Sequence, residues 1–294
     1  MAKGSRLAAV LRRTACAAAV TVAATSTLGG VATAAPATPA PSSSATAPSA
    51  TKAPSTKAPT TKSPAAPSTK TQAPSAAVPP APKSVGPGDR IDILQRSLGD
   101  GKFQALQCTM GFAVTSGTGE RLGVTAGHCG SVSKPVGVDH WVVGQIVESH
   151  APAVKPDPKR PGQMAPVDPF APDWATFRLT DKSVKMLGSK GRIAPYSVGT
   201  AKVGDKVCQQ GSVNGYRCGK VVQTKGDWIL TDITTTQGDS GGPLIRTSDH
   251  AALGIITDAV TLSDSDTGQV KGKATQYYSL QAALRASGAT LATR

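Results

Sequence analysis

Between residues 103 and 280 the sequence consists of short apolar or alternating runs that are separated by Gly, Pro, Asp and Asn. Examples are "WVVGQIVE", "WATFRL", "DWILTDI" and "ALGIITDAV". Such runs are typical of strands, and their spacing of about 8–15 residues, with turn sequences such as "VNGYR", indicates an antiparallel sandwich or barrel. We therefore predict an all-β fold for this region.

The end of the chain has a different period. In "YSLQAALRASG", residues 278–288, Leu280, Ala283 and Leu284 fall on one face of a helix, and Gly288 stands where a helix would end. Spacings of three and four residues are the period of an amphipathic helix, and glycine is common just after a helix C-terminus. We therefore predict a C-terminal helix after the strands.

One segment is too rich in proline for an interior strand. Residues 148–173 contain seven prolines, and proline cannot donate to the hydrogen-bond ladder of a sheet. We interpret 148–172 as a long surface loop between two strands. Regular structure would then resume at Asp173.

The segment 1–35 begins with four basic residues, continues through small and apolar residues, and offers a small-residue cleavage site at Ala32-Thr33-Ala34. We interpret it as a secretory signal peptide, which predicts that the mature protein is exported in soluble form. The alternative is a membrane anchor. The apolar stretch is diluted by Thr, Ser and Gly, however, and falls short of the roughly 20 apolar residues that span a bilayer.

Residues 36–88 consist mainly of Ala, Pro, Ser, Thr and Lys, contain no acidic residue and repeat approximately. Such a segment cannot bury enough apolar surface to offset the entropy cost of ordering, and its prolines hold it extended. We predict a disordered spacer, followed by the folded domain 89–294. Two interpretations of the spacer stay open: a stalk through or onto the cell envelope, and a dispensable linker.

The formal net charge of +14 suggests nucleic-acid binding until it is divided by region. Residues 89–294 hold 23 of the 32 Lys and Arg and all 18 Asp and Glu, so their net charge is only +5. These basic residues are scattered and lack the clustering of a nucleic-acid surface. We expect no nucleic-acid partner, while a loose attraction to anionic polymers of the cell envelope stays open.

Four cysteines are left once Cys16 is removed with the predicted signal peptide: Cys108, Cys129, Cys208 and Cys218. An even number in an exported protein predicts two disulfides, and the sequence leaves all three pairings open. Zinc binding is the alternative, but zinc sites prefer closer pairs than the 20 and 9 intervening residues found here. We predict no metal and no organic cofactor.

The segment "TTTQGDSGGPLI", residues 234–245, places Ser240 among glycines inside strand-like sequence. A serine nucleophile needs an exposed Oγ and backbone N–H groups that converge on the developing oxyanion. Side chains at Gly238, Gly241 or Gly242 would obstruct the approach of a substrate backbone. The glycines therefore make Ser240 a candidate nucleophile, although taken alone they are also typical of a tight turn.

Two further residues supply the partners that such a serine requires. His128 follows an apolar strand in "VTAGHC", and Asp173 opens the apolar run "DWATFRL" after the long loop. The chain order of base, acid and nucleophile, with intervals of 45 and 67 residues, is one of the known orders of the Ser/His/Asp geometry. In an esterase of the α/β-hydrolase type the serine precedes the acid and the histidine, so the order argues against that class.

Together, "TAGHC", an Asp that opens an apolar strand and "GDSGGP" resemble the chymotrypsin-type serine protease family over essentially all of 103–288. "CTMGFAV" and "VCQQGSVNGYRCGKV" are similar to segments of its secreted bacterial branch, the streptogrisin and alpha-lytic type enzymes. The resemblance implies two six-stranded antiparallel barrels with the active site in the cleft between them. It also implies the disulfides Cys108–Cys129 and Cys208–Cys218.

Carried over to this chain, the resemblance implies a secreted serine endopeptidase that acts on protein or peptide substrates, and we expect a monomer. Ser240 Oγ attacks the scissile carbonyl, His128 takes and returns the proton, and Asp173 orients the imidazole. The backbone N–H groups of Gly238 and Ser240 form the oxyanion hole. The alternative is a catalytically silent barrel that serves as an adhesin or binding module on the cell envelope, but the intact triad argues against it.

The sequence departs from the family pattern directly after Cys208. The bacterial relatives usually have an arginine there, which pairs with the aspartate that corresponds to Asp239, whereas this chain has Gln209. Arg217 and a newly formed amino terminus are the candidate partners for Asp239. The second candidate would require proteolytic activation, and the sequence leaves the choice open.

By analogy, the floor of the specificity pocket comes from Thr234, Thr235 and Thr236, and a wall comes from Thr257 and Asp258 in "TDAV". The neutral threonines argue against a strong preference for Lys or Arg before the cleaved bond. An inward-facing carboxylate in the wall would reverse that preference, but we expect it to face solvent. We predict a preference for small or medium apolar residues.

Overall fold

The computed structural model describes residues 12–13, 80–99, 102–158, 162, 164–263 and 269–293. All of them belong to one compact unit, which comprises 1–19 and 78–294; a second unit, 20–77, lies outside the described residues. The described residues contain no helix with the length and hydrophobicity of a membrane span.

The described residues form mainly strands, with one 3₁₀ helix, Gly127–Cys129, and one α-helix, α1 (Leu280–Ser287). The strands in chain order are β1 (Arg12–Arg13), β2 (Ser84–Val85), β3 (Arg90–Gly99), β4 (Lys102–Thr109), β5 (Phe112–Thr115), β6 (Arg121–Thr125), β7 (Pro135–Val138), β8 (Trp141–His150), β9 (Val154–Pro156), β10 (Met164–Pro166), β11 (Trp174–Leu179), β12 (Lys185–Met186), β13 (Ser197–Val198), β14 (Lys206–Gly211), β15 (Gly215–Lys225), β16 (Trp228–Thr231), β17 (Pro243–Arg246), β18 (Ala251–Ser263), β19 (Val270–Ser279) and β20 (Thr290–Leu291).

The N-terminal barrel is built on the sheet order β20-β5-β6-β11-β8-β7-β3-β4. Its strands follow the alternation of the sequence: in β3, Ile91 and Ile93 are fully buried, while the residues between and beside them are more exposed. Side chains at alternate positions point to one face of a sheet, so these residues meet Val136, Ile146 and Phe177 in one buried cluster. This cluster is the core of the N-terminal barrel.

The C-terminal barrel is closed. Its order is β18-β17-β14-β15-β16-β19, and β18 also pairs with β19, so that six strands form a ring. The two-residue strands β1 and β13 pair with β18 outside this ring. The predicted all-β fold with two barrels is therefore confirmed. The expected number of six strands holds for the C-terminal ring, whereas the N-terminal sheet has eight, one of which is β20 from the end of the chain, paired with β5.

The two barrels share a buried cluster. Phe112 and Trp174 of the N-terminal barrel contact the same cluster as Ile255 and Tyr278 of the C-terminal barrel and Leu280 of the helix. Apolar burial of this kind is the main driving force for association of the two halves. The two barrels therefore pack against each other through a shared apolar core.

The predicted C-terminal helix forms as α1. The Ser279 hydroxyl accepts a hydrogen bond from the backbone N–H of Ala282, which caps the helix N-terminus. Gly288 adopts the left-handed conformation at φ 64° and donates its N–H to the carbonyl of Leu284, which is the usual glycine C-cap. Leu280 and Ala283 are buried, as the sequence period indicated.

Ordered structure begins before residue 89. Val85 is fully buried, and β2 pairs in parallel with β12. Residues 80–88, assigned to the spacer from composition, are therefore partly folded against the N-terminal barrel, because Val85 supplies an apolar side chain that the barrel buries. The rest of the spacer and all of the predicted signal peptide except Arg12–Arg13 lie outside the described residues.

Candidate active site

His128 and Asp173 meet through two hydrogen bonds. The backbone N–H of His128 donates to Asp173 Oδ1 at 2.9 Å, and His128 Nδ1 lies 2.9 Å from Asp173 Oδ2. An ionised carboxylate only accepts, so Nδ1 carries the proton and Nε2 is the acceptor nitrogen of the neutral ring. The Asp173 side chain is 6% exposed and that of His128 is 40% exposed. The pair therefore has a buried anchor and an accessible imidazole.

The 3₁₀ helix that carries His128 is fixed by a disulfide at its C-terminal end. The disulfide Cys108–Cys129 ties it to the end of β4, and the second implied disulfide, Cys208–Cys218, is also present in the structure. All four sulfurs are thus occupied and cannot act as zinc ligands. Among the described residues, no group of three His, Cys, Asp or Glu is arranged to hold a metal ion.

Gly127 is a site residue that sequence reasoning missed. A Cβ at this position would lie 2.1 Å from the carbonyl oxygen of His150 and 2.9 Å from that of Trp174. The backbones of β8 and β11 therefore pass directly against the turn that holds His128. The signal was present as the glycine in "TAGHC", but only the packing of the two strands explains it.

Ser240 lies in the turn between β16 and β17, flanked by two glycines in the left-handed region, Gly238 at φ 99° and Gly241 at φ 88°. A Cβ on Gly241 would lie 2.1 Å from Thr125 Oγ1 and 2.4 Å from the carbonyl oxygen of Thr109. Sequence reasoning attributed this glycine to the approach of a substrate backbone. In the structure, the space next to Gly241 is instead occupied by Thr109 and Thr125 of the N-terminal barrel, which packs against the serine turn.

Replacing Gly241 with Ala should destabilise the protein by about 3 kcal/mol, since both a left-handed backbone and a direct clash oppose the new methyl group. The control is Gly226→Ala, since Gly226 has φ +57° with nothing within 4 Å of the added Cβ. It isolates the conformational term, about 1 kcal/mol. Urea unfolding of both variants measures the difference. Equal losses of unfolding free energy in the two variants would show that the close contact of Gly241 with the N-terminal barrel adds no cost.

A cavity of about 270 Å³ brings the predicted residues together. His128, Asp173, Gly238 and Ser240 all line it. The lining also includes a stretch of β4 and a stretch of β18, so both barrels contribute walls. The cavity therefore lies between the two barrels, where the family resemblance implied a cleft.

Not all of the predicted specificity residues line the cavity. Thr235, Thr236, Thr257 and Asp258 line the cavity, whereas Thr234 is exposed and is not among the lining residues. The hydroxyl of Thr257 is turned to the backbone, since it donates to the carbonyl of Gln276 at 3.0 Å. That of Thr235 donates to Asp239 Oδ2 at 3.1 Å. These two hydroxyls therefore have internal partners as well as a place in the cleft wall.

Gln209 fills the position where relatives carry arginine. Its side chain is fully buried, its Nε2 donates to the carbonyl of Thr234 at 3.3 Å, and its Oε1 accepts a hydrogen bond from the hydroxyl of Tyr277. Burial raises the pKa of Tyr277 above its usual range, so the phenol stays neutral and continues to donate. Gln209 is thus held in a neutral hydrogen-bond network next to the serine turn.

The proline-rich segment contains structure that the sequence did not predict. Strands β9 and β10 pair as an antiparallel hairpin, and Pro152, Val154, Met164 and Pro166 line the same cavity as His128 and Ser240. The interpretation of 148–172 as a plain surface loop was therefore incomplete. Short strands interrupted by prolines give no clear period of two, so sequence reasoning had no signal for the hairpin.

The loop is attached to the C-terminal barrel just before Asp173. The indole N–H of Trp228 donates to the carbonyl of Phe170 at 2.8 Å, and Gln276 Nε2 donates to that of Pro169 at 3.4 Å. Lys225 Nζ lies 3.7 Å from the centre of the Phe170 ring, a distance suited to a cation–π interaction. These contacts fix the end of the loop that leads into Asp173.

No protein-family model matches the chain. Among curated proteins, Streptogrisin-C of Streptomyces griseus is 28% identical over 199 residues, which are 64% of this chain and 38% of the relative. The chain therefore spans well under half the length of the curated relative that it matches.

Among solved structures, Thermobifida fusca Protease A aligns with a TM-score of 0.50 and 21% identity, over 72% of this chain and all of the other. A Nocardiopsis protease aligns with a TM-score of 0.49 and 24% identity, over 71% of this chain and all of the other. At this identity the structural likeness shows the fold alone. The chain has the double-barrel fold of the chymotrypsin-type serine proteases, and the resemblance seen in its motifs is confirmed.

Proposed function

We propose that this protein is a serine endopeptidase that cleaves protein or peptide substrates through an acyl-enzyme. The observation that carries the proposal is the double hydrogen bond between His128 and Asp173, in one cleft with Ser240. Three residues distant in sequence converge on one cavity, with the acid buried and the base accessible. A structural histidine would not require a buried carboxylate aimed at Nδ1 beside an accessible serine.

In the first step, Ser240 Oγ attacks the scissile carbonyl while His128 Nε2 accepts its proton. The imidazolium that forms is stabilised by Asp173, which already holds Nδ1. His128 then gives the proton to the leaving amine, and the acyl group remains on the serine. Water attacks the acyl-enzyme by the same route, with His128 again acting as the base.

The oxyanion of each tetrahedral intermediate requires preorganised donors, and the backbone N–H groups of Gly238 and Ser240 are the candidates. The N–H of Ser240 belongs to the same peptide plane as the carbonyl of Asp239, which accepts a hydrogen bond from the N–H of Gly242 at 2.9 Å. In a trans peptide the N–H and C=O point in opposite directions. The internal hydrogen bond therefore fixes the direction in which the Ser240 N–H points.

The described walls of the cleft favour an apolar residue before the cleaved bond. Besides the catalytic residues, these walls contain Ile256, Thr257, Asp258 and Ala259, and Thr257 donates its hydroxyl to the backbone. No Lys or Arg is among the lining residues in the described part of the chain, so an acidic substrate residue would find no counter-charge there, whereas Asp258 makes a preference for Lys or Arg the alternative. Small or medium apolar side chains fit such a surface, because they require no buried ion pair.

Export of the protein is part of the proposal. Two disulfides stabilise the folded domain, and disulfides persist in oxidising compartments. Together with the predicted signal peptide, they support a secreted protein, which the spacer would associate loosely with the cell envelope.

Active-site labelling with site mapping tests the proposed chemistry. The full secreted chain is treated with a fluorophosphonate probe, digested, and the labelled peptide is identified by mass spectrometry. We expect a single label on Ser240, and none in heat-denatured protein, because only the folded triad activates the hydroxyl. Folded, disulfide-bonded protein that takes no label would instead support the silent binding module.

The hairpin β9–β10 should contribute binding energy for extended substrates. Changing Val154 and Met164 to Ser is expected to raise KM for peptides of six or more residues about tenfold, since apolar contact in the cleft is lost. Hydrolysis of a small ester, which does not reach the hairpin, should stay unchanged. The control is Val203→Ser, since Val203 is an exposed valine outside the cleft. Equal effects on peptide and ester would contradict this role.

A further inference from the structure

Asp239 is fully buried next to the nucleophile, and its carboxylate is saturated by hydrogen bonds. Oδ1 accepts from the backbone N–H groups of Val213 at 2.9 Å and Asn214 at 3.0 Å. Oδ2 accepts from Asn214 Nδ2 at 2.8 Å, Thr235 Oγ1 at 3.1 Å and the N–H of Thr236 at 3.1 Å. All five partners are donors, which suits an ionised carboxylate, since that form only accepts.

These donors come from two different segments. Val213 and Asn214 lie in the turn between β14 and β15, a hairpin closed near its base by the disulfide Cys208–Cys218. Thr235 and Thr236 lie in the segment that leads into the serine turn. One carboxylate therefore ties a disulfide-closed hairpin to the residues that carry the oxyanion hole.

The peptide groups around Asp239 are fixed by the same region. The carbonyl of Gly238 accepts hydrogen bonds from Thr109 Oγ1 at 2.8 Å and Ser212 Oγ at 3.0 Å. The carbonyl of Ser240 accepts from the N–H of Thr109 at 2.8 Å. Gly211 is necessarily glycine here, because a Cβ would lie 2.1 Å from Asp239 Oδ1. Hydrogen bonds thus fix the serine turn on both sides of Asp239.

None of the five donors is a cation. Within the described ranges, no Lys or Arg nitrogen forms an ion pair with Asp239. Gln209, at the position of the family arginine, bonds instead to Thr234 and Tyr277. Arg217, the other candidate, is an exposed residue of β15. A buried carboxylate needs either a counter-charge or several hydrogen bonds, and this one has the hydrogen bonds.

We infer that Asn214 is a positioning residue for the oxyanion hole, and that neutral donors replace the cationic partner of Asp239. The serine turn then adopts its reactive form without a newly released amino terminus. This inference deepens the proposed function and rests on it for its kinetic consequences. Asn214 acts through Asp239 and touches no reacting atom. It contributes both its backbone N–H and its side-chain amide.

Three variants of the full chain test the inference: Asn214→Ala, Asn214→Asp and Arg217→Ala. The first removes one donor to a charge, which should lower kcat about 10- to 100-fold with little change in KM. The second is nearly isosteric but places a like charge on Asp239, so its loss should be larger. The third is the matched control, since it removes a cation from the same hairpin, and it should retain wild-type kcat.

Hydrogen–deuterium exchange of the peptide that spans 234–242 gives a readout that does not require activity. Protection of its amides should fall in Asn214→Ala and Asn214→Asp and stay unchanged in Arg217→Ala. A merely steric role for Asn214 predicts the opposite order, with the isosteric Asp variant less affected than the Ala variant. That order, or a loss in Arg217→Ala, overturns the inference.

The pH dependence of kcat/KM in the wild type tests whether an amino terminus pairs with Asp239. An α-amino group paired with Asp239 would lose its charge as pH rises through its pKa, and kcat/KM would fall between about pH 8 and 10. With neutral donors, kcat/KM should stay level over this range. A fall in kcat/KM at alkaline pH overturns the inference if acetylation of the amino terminus causes the same loss of activity. If the wild type takes no fluorophosphonate label but the exchange pattern holds, the protease proposal fails and the neutral support of Asp239 stands.

Discussion

Replacing Ser240 with Ala should lower kcat for peptide hydrolysis about 10⁶-fold, the largest loss expected of any single substitution in this protein. The serine hydroxyl is the nucleophile, and without it His128 has no proton to accept, so the triad fails as a unit. Residual hydrolysis about 10³- to 10⁴-fold above the uncatalysed rate should persist, because the oxyanion donors and the binding cleft remain. Steady-state kinetics on a peptide identified by library digestion measures both values.

The control for this prediction is substrate binding. Ser240 is partly exposed in the cleft and its carbonyl, not its side chain, bonds to Thr109, so truncation of the hydroxyl should leave the fold intact. Affinity of the Ala variant for an uncleaved peptide should match that of the wild type within a few-fold. Peptide hydrolysis that survives the substitution at more than about one hundredth of the wild-type rate would rule out Ser240 as the nucleophile.

Replacing Asp173 with Asn should lower kcat about 10⁴-fold while KM changes little. The carboxylate accepts from both the backbone N–H and Nδ1 of His128. An amide has only one oxygen, so its NH₂ group must face one of these two donors. The imidazole then either loses its fixed orientation or takes the tautomer with the proton on Nε2, which cannot accept the serine proton.

A matched carboxylate elsewhere separates this effect from a change in charge. Asp181 is a partly exposed residue outside the cleft that caps a turn through Ser183, and those hydrogen bonds hold the pKa of Asp181 below its usual value. Asp181→Asn should leave kcat unchanged. If Asp173→Asn also retains more than about one tenth of the wild-type kcat, the buried carboxylate does not orient the base.

Local sequence patterns were sufficient to predict the main strands and the helix. The alternating apolar runs predicted the main strands, and the period of three and four residues with Gly288 at its end predicted α1. These are short-range effects, because the burial of alternate side chains and the capping of a helix depend on neighbours in the chain. The three motifs in chain order likewise predicted His128, Asp173 and Ser240, and the structure brings them into one cavity.

Other features depend on contacts between distant segments, and no local pattern encodes them. The glycine at 241 reflects the backbone of Thr109, more than a hundred positions away along the chain, and the partners of Asp239 come from a turn that the sequence does not connect to it. The hairpin that lines the cleft is concealed by prolines that remove the strand period. Steric exclusion and hydrogen-bond geometry between packed segments decided these points.

The sequence by itself therefore determined the strands with alternating apolar residues, the C-terminal helix and the three residues that can perform the chemistry, since these follow from local periodicity and from residue type in a known order. The tertiary structure decided how the nucleophile is supported. Among the described residues, Asp239 has five hydrogen-bond donors in place of the expected cation, and only the folded C-terminal barrel brings these donors within 3.1 Å. The physical reason is that a hydrogen bond is short and directional, so its partners are set by the final packing.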